Sequence, residues 1–267
     1  MSMTLKSCCK AVDSFDLYHM KMLPAGTEPE FALGIIGDFY KECSCLHQGR
    51  NTVKLVTTSF WPRPLVVKRF GTPNVLQRIG ALWKGDRGLR AYRNAEELQR
   101  RGFATPKPIL YVDADGAGVY IATEVDAGAP LCQFIGQEDV EDSLADSFAA
   151  FTYDLHNAGI IHRDYNNTNI RVHGEPGGWT FSLIDVDRMS IDRYGVRPSA
   201  GKRLKNLRLF SDAGSFYKKV LMRYVALDGD MSVKRFHKEL EAKVMHAKRY
   251  RRKKLILNKL KRIFSRV

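Results

Sequence analysis

No stretch of this 267-residue chain approaches the eighteen or so consecutive apolar residues that a membrane-spanning helix needs, and its first twenty residues lack the apolar core of a secretory leader. The expected location is therefore the cytoplasm. Cysteine is sparse: Cys8, Cys9, Cys43, Cys45 and Cys132 make an odd count with no CxxC pair and no histidine cluster beside them. That argues against a disulfide framework and a structural zinc site and leaves reduced thiols. Acids are scarce at the C-terminal end, where Met231 to Val267 holds fourteen Lys or Arg against only Glu239 and Glu241, a net +12 of the formal +14. The rest of the chain is nearly neutral. What the chain does have is length enough for one bilobal domain or two small ones, with ample material for a core.

Residues 1–38 show no strong period, and Pro24, Gly26 and Pro29 interrupt any long element, so an irregular lead-in is expected there. From 39 to 125 the pattern is β-rich. Strands are predicted near Glu42–His47, Thr52–Thr58, Leu65–Phe70 and Val119–Val125, with one helix over Arg87–Arg101 whose Leu89, Tyr92, Ala95 and Leu98 recur at threes. Residues 124–128 read as a hinge, and 126–230 as a mostly helical segment led by a helix over Asp139–Asn157. A basic amphipathic helix is predicted over 231–267.

The informative stretch is IIHRDYNNTNIRVHGEPGGWTFSLID, Ile160 to Asp185. Asp164 stands five residues before Asn169 on a short loop, and a second apolar run, Phe181 to Ile184, ends in Asp185. His-Arg-Asp, an asparagine at this offset, and a strand ending in aspartate form a composite pattern for phosphoryl transfer. The chemistry needs a carboxylate to orient and deprotonate the attacking hydroxyl, and hard oxygen ligands for Mg²⁺ on the ATP phosphates. Asp164 is the candidate base, and Asn169 and Asp185 are the candidate metal ligands. His162 and Arg163 are read as holding the loop in shape.

Upstream, LVVKRF carries Lys68 in an apolar strand, the place for a lysine that grips the α- and β-phosphates. A solvated charge on a sheet edge is the plainer alternative. The turn Gln48–Asn51 stands where a phosphate-covering loop belongs, but Gly49 is its single glycine. Gly49 and Arg50 are the candidates there, against an ordinary hairpin turn.

HRDYNNTNI followed by FSLIDVDR resembles the lipopolysaccharide kinases, which phosphorylate Kdo or heptose in the inner core of Gram-negative lipopolysaccharide. Asp185-Val186-Asp187 in place of Asp-Phe-Gly, and no Ala-Pro-Glu anchor after it, favour that branch over protein kinases. The resemblance implies an α+β, bilobal protein-kinase-like fold with a small β-rich N-lobe and a larger helical C-lobe, using ATP and Mg²⁺. It also implies an acid on the Arg87–Arg101 helix to pair with Lys68. The family position falls near Ala91, leaving Glu96, Glu97 and the preceding Asp86 as candidates, with the partner open. The expected acceptor is a lipopolysaccharide precursor, with the enzyme peripheral on the inner face of the inner membrane. The basic C-terminal helix is open to an anionic membrane surface, to packing on the larger lobe, or to nucleic acid. An atypical protein kinase, a small-molecule phosphotransferase and a pseudokinase binding module are the alternative functions.

Overall fold

Alternation along the chain explains the first half of the fold. In the computed structural model, which describes residues 20–41, 43–71, 86–114, 118–211, 214–229 and 232–264, Lys21–Leu23 forms β1 and Pro29–Tyr40 forms α1. The lead-in expected to be irregular thus contains a three-turn helix. Pro29 does not break it but starts it, since proline lacks the N–H that a first-turn residue would leave unbonded anyway. Ala32, Ile35, Ile36 and Phe39, spaced i, i+3, i+4 and i+7, are its buried stripe.

The strands β2 (Ser44–Gln48), β3 (Thr52–Val56) and β4 (Leu65–Phe70) follow, then α2 (Arg87–Arg100), β5 (Pro108–Ala114) and β6 (Gly118–Glu124). Together they make a six-stranded antiparallel sheet of order β1-β5-β6-β4-β3-β2. Successive side chains on a strand point to opposite faces. Leu65 and Val67 accordingly join the stripe of α1, with Val56, Leu110, Val112 and Ala122, in one core. Phe70 lies on the other face, clustered with Ile121, Tyr111 and the α2 residues Ala91 and Tyr92. Lys68, two residues before Phe70, is directed to that same α2 face. Cys43 donates to the Asp38 carbonyl (3.1 Å) and packs on the core, whereas Cys45 is exposed, so the two do not share a packed face.

The chain divides into two compact units: Met1–Ala127 with Ser182–Arg188, and Gly128–Phe181 with Met189–Val267. The second unit holds β7 (Ala129–Pro130), α3 (Glu138–Asn157), β8 (Ile160–Ile161) and β9 (Ile170–His173). The chain leaves it along β10 (Thr180–Leu183), which joins β9 and β7 in a three-stranded sheet. It returns through β11 (Ser190–Ile191), paired with β8, to α4 (Ala200–Leu207), α5 (Ser215–Leu227) and α6 (Val233–Phe264).

Phe148 on α3 is the hub of this unit. Its ring meets those of Tyr165 (5.8 Å), Phe181 (5.3 Å), Phe210 (5.6 Å) and Phe216 (6.3 Å) between centroids. The residues read as a basic C-terminal helix belong to this unit. Glu239 of α6 makes a two-pronged ion pair with Arg208 (2.7 Å for each bond), and buried Lys243 donates to the carbonyls of Arg208 (2.9 Å) and Phe210. Among the described residues, no helix is long and apolar enough to cross a membrane.

Replacing Phe148 by alanine removes the shared partner of four rings and leaves a cavity. Phe148→Ala is expected to lower unfolding stability by about 3–5 kcal/mol, read from the midpoint of urea denaturation.

Candidate active site

Two groups of candidate residues arise, one in each unit. In the first, β4 presents Lys68 opposite Ile121 of β6 and Val53 of β3, and its ammonium forms an ion pair with Asp185. Asp185 is the one non-glycine residue with positive φ (57°) among the described residues. Aspartate tolerates this left-handed conformation better than most residues, yet a non-glycine residue adopts it uncommonly, and here the flanking structure imposes it. Upstream, Leu183 donates its N–H to Ala104 (3.0 Å) and accepts from the Thr105 hydroxyl (2.7 Å). Downstream, Asn94 of α2 donates to the Val186 carbonyl (2.7 Å), and Arg87 pairs with the Asp187 carboxylate (2.5 Å).

None of the three acids proposed for Lys68 is its partner. Asp86 caps α2 at the Leu89 N–H (2.9 Å) and accepts from the Tyr111 hydroxyl (2.5 Å). Glu97 is taken by Arg100 and Arg101, and Glu96 interacts with the Tyr92 hydroxyl. The lysine's counter-charge is Asp185 itself. Burial alone would push the Asp185 carboxyl up, but Lys68 more than offsets this and holds it below the usual range. Burial prevails at Asp187, whose carboxyl is pushed up despite Arg87.

Gly49 and Arg50 occupy the β2–β3 turn, as read from the sequence. The Gly49 N–H donates to the Asn51 carbonyl (3.1 Å), so it is not directed outward in this conformation. Gly71 lets the turn pack closely, because a Cβ there would lie 2.0 Å from the Arg50 carbonyl oxygen.

In the second unit the loop between β8 and β9 brings Asp164 and Asn169 together. Asn169 donates its side-chain amide to the Asp164 carbonyl (3.0 Å), a bond that does not use its amide oxygen. Asn166, which sequence reasoning passed over, organises the loop. Its Nδ2 donates to the Asp164 carboxylate (3.1 Å), and its Oδ1 accepts from the N–H groups of Thr168 (3.0 Å) and Asn169 (3.2 Å). Such asparagine-centred turns carry only a local signal, the Asn-Asn-Thr run itself.

Behind the loop lies a buried polar relay that sequence reading also missed. Asn206 of α4 donates to the His162 carbonyl (2.6 Å), and its Oδ1 accepts from His156 Nε2 (3.0 Å). Because that amide oxygen can only accept, Nε2 carries the proton and Nδ1 accepts from the Tyr224 hydroxyl (2.7 Å). Arg203 reaches both Tyr224 and Asp228, and Arg197 reaches Asp228 (2.7 Å).

Residues 85–212, which include Asp164, Asn169 and Asp185 but not Lys68, match the model of the lipopolysaccharide kinase (Kdo/WaaP) family. Its fold matches a structure described as WaaP in complex with acyl carrier protein, with a TM-score of 0.54 and 17% identity over 87% of this chain and 98% of that one. A Rio2 kinase–ADP/Mg²⁺–phosphoaspartate complex from Chaetomium thermophilum also matches (TM-score 0.42, 18% identity, 77% of this chain and 70% of that one). A curated relative, a probable bifunctional tRNA threonylcarbamoyladenosine biosynthesis protein of Methanothermobacter thermautotrophicus, is 28% identical over 182 residues, 64% of this chain. The chain spans only 31% of that protein's length. The matched model is that of a kinase family, and the fold is protein-kinase-like.

Burial lowers the His156 pKa to about 4. Between that value and the unfolded value near 6.5 the unfolded chain binds the extra proton, so stability is full above about pH 6.5 and falls toward pH 4. Urea midpoints are expected to drop over this window, and His156→Asn is expected to flatten the decline.

Proposed function

We propose that the chain phosphorylates a sugar hydroxyl, on Kdo or heptose, in the inner core of a lipopolysaccharide precursor at the cytoplasmic face of the inner membrane. The observation that carries this reading is the match to the lipopolysaccharide kinase (Kdo/WaaP) family model over residues 85–212, the span that includes Asp164, Asn169 and Asp185. The departure from Asp-Phe-Gly at Asp185-Val186-Asp187 supports it from the sequence side.

Each candidate donor suits Mg²⁺ by its own chemistry: Asp185 in the first unit offers a carboxylate, and Asn169 in the second offers an amide oxygen, both hard oxygens. When bound with ATP, the ion neutralises charge on the phosphate oxygens. Asp164 orients the acceptor hydroxyl and takes its proton, with Asn166 holding the carboxylate in place. Lys68 exchanges its contact with Asp185 for the α- and β-phosphates, and Arg50 is the cation the β2–β3 turn contributes toward them. Rate enhancement then comes from positioning and charge stabilisation. The strongly basic α6 favours an anionic lipid surface, where each lysine or arginine contributes about 1 kcal/mol of attraction.

The curated relative in tRNA modification favours a second reading, an acceptor other than lipopolysaccharide, polypeptide or small molecule. Labelled ATP offered with lipid extract or with protein lysate separates the two. Label in the lipid fraction is expected, and label confined to polypeptide would overturn the sugar acceptor. Lipid A-core from cells with the gene should weigh one phosphate more than that from cells without it. Asp164→Ala and Asp185→Ala are each expected to lower turnover by orders of magnitude while the protein stays folded. Near-normal turnover by Asp185→Ala would defeat the kinase reading.

A further inference from the structure

The helix α2 was expected to bring an acid to Lys68, yet the face it turns to the segment after Asp185 is basic and amide-bearing. Arg87, Arg90 and Asn94, at i, i+3 and i+7, form one stripe. Arg87 Nε meets Asp187 Oδ2 at 2.5 Å, Arg90 Nε meets the Asp187 carbonyl at 3.4 Å, and Asn94 Nδ2 meets the Val186 carbonyl at 2.7 Å. The Asp187 side chain is wholly buried, and its second oxygen, Oδ1, has no hydrogen-bond partner. A buried carboxylate with one satisfied oxygen is retained at a cost, and its one strong partner is the arginine. The Arg87 guanidinium and the Lys68 ammonium both lie over the Phe70 ring, at 5.4 and 5.0 Å, so a single aromatic side chain locates both cations.

We propose that Arg87 and Asp187 are a positioning pair: they tie the first turn of α2 to the chain immediately after Asp185 and thereby hold Asp185 in its left-handed backbone conformation. In this arrangement α2 orders the site through the aspartate's backbone and not through the lysine. Asp187 acts through its neighbour and touches no substrate. The proposal rests on the reading of Asp185 as a cation ligand, and it assigns a function to Asp187 that the phosphate-transfer roles leave unused.

The test uses the full chain with Arg87→Ala, Asp187→Asn, Arg87→Lys and the Arg87→Ala/Asp187→Asn double variant. In metal-free protein, amide exchange across residues 183–188 is expected to quicken in Arg87→Ala and Asp187→Asn. Mn²⁺ binding, titrated with a non-hydrolysable ATP analogue, is expected to weaken about 10-fold to 100-fold. The turnover number should fall with little change in the KM for ATP. The double variant should be no worse than either single one, because both break the same contact. Arg87→Lys keeps the charge but not the planar fork and should be intermediate; it carries the test if the alanine variant does not fold. Wild-type exchange and Mn²⁺ affinity in folded variants, or additive losses in the double variant, would overturn the proposal. Asp185→Ala run alongside separates the two levels. If it is inactive while Arg87→Ala matches wild type, the positioning role fails alone; if it is active, the kinase reading fails as well.

Discussion

The ion pair between Lys68 and Asp185 is the contact on which the first unit's chemistry depends, because it joins the middle of a sheet to a residue 117 positions later in the chain. Strand alternation makes it possible. Leu65 and Val67 bury against α1, so Lys68 must emerge on the opposite face, where residues 182–188 belong to the same compact unit. The aspartate arrives with positive φ, held by Ala104 and Thr105 before it and by α2 after it. Hydrogen bonds on both sides thus sustain a conformation that an aspartate in an isolated peptide would rarely visit.

Charge balance follows the same logic. Two carboxylates, Asp185 and Asp187, meet two cations, Lys68 and Arg87, and burial pushes both carboxyls up while the cations pull them down. The stronger pull wins at Asp185, whose carboxyl is held below the usual range. The second unit answers with neutral groups. Asn166, Asn169, Asn206, His156 and Tyr224 fix the Asp164 loop through hydrogen bonds whose donor and acceptor assignments are mutually consistent from Tyr224 to the His162 carbonyl.

Much of this was legible in the sequence, where a residue's signal is local. LVVKRF reads as a strand with a lysine because its period is two, and it spans Leu65–Phe70 in the structure as well. The Asp164–Asn169 offset and the Asp185 strand end are short-range patterns, and the protein-kinase-like fold follows from their order. What escaped detection depends on contacts distant in sequence. Asn206 lies 44 residues from His162, and nothing near either one announces the bond. The partner of Lys68 was sought on α2 because that is where the family keeps an acid, whereas this chain places arginine and asparagine there. The missed helix α1 is a different error. Its i, i+3, i+4, i+7 stripe was present, but Pro29 was read as an interruption when its position at the helix start makes it an initiator.

The way α6 is fastened has a consequence for where its charge can act. Glu239 and Lys243 bind the helix to Arg208 and Phe210 near its N-terminal end, and the helix continues unbroken to Phe264. At about 1.5 Å of rise per residue, the last turn stands roughly 30 Å along the axis from that mooring. Such a span is several Debye lengths at physiological ionic strength, about 8 Å each. At physiological salt the two ends of α6 are therefore screened from each other, and the field at the mooring is set by its own neighbours.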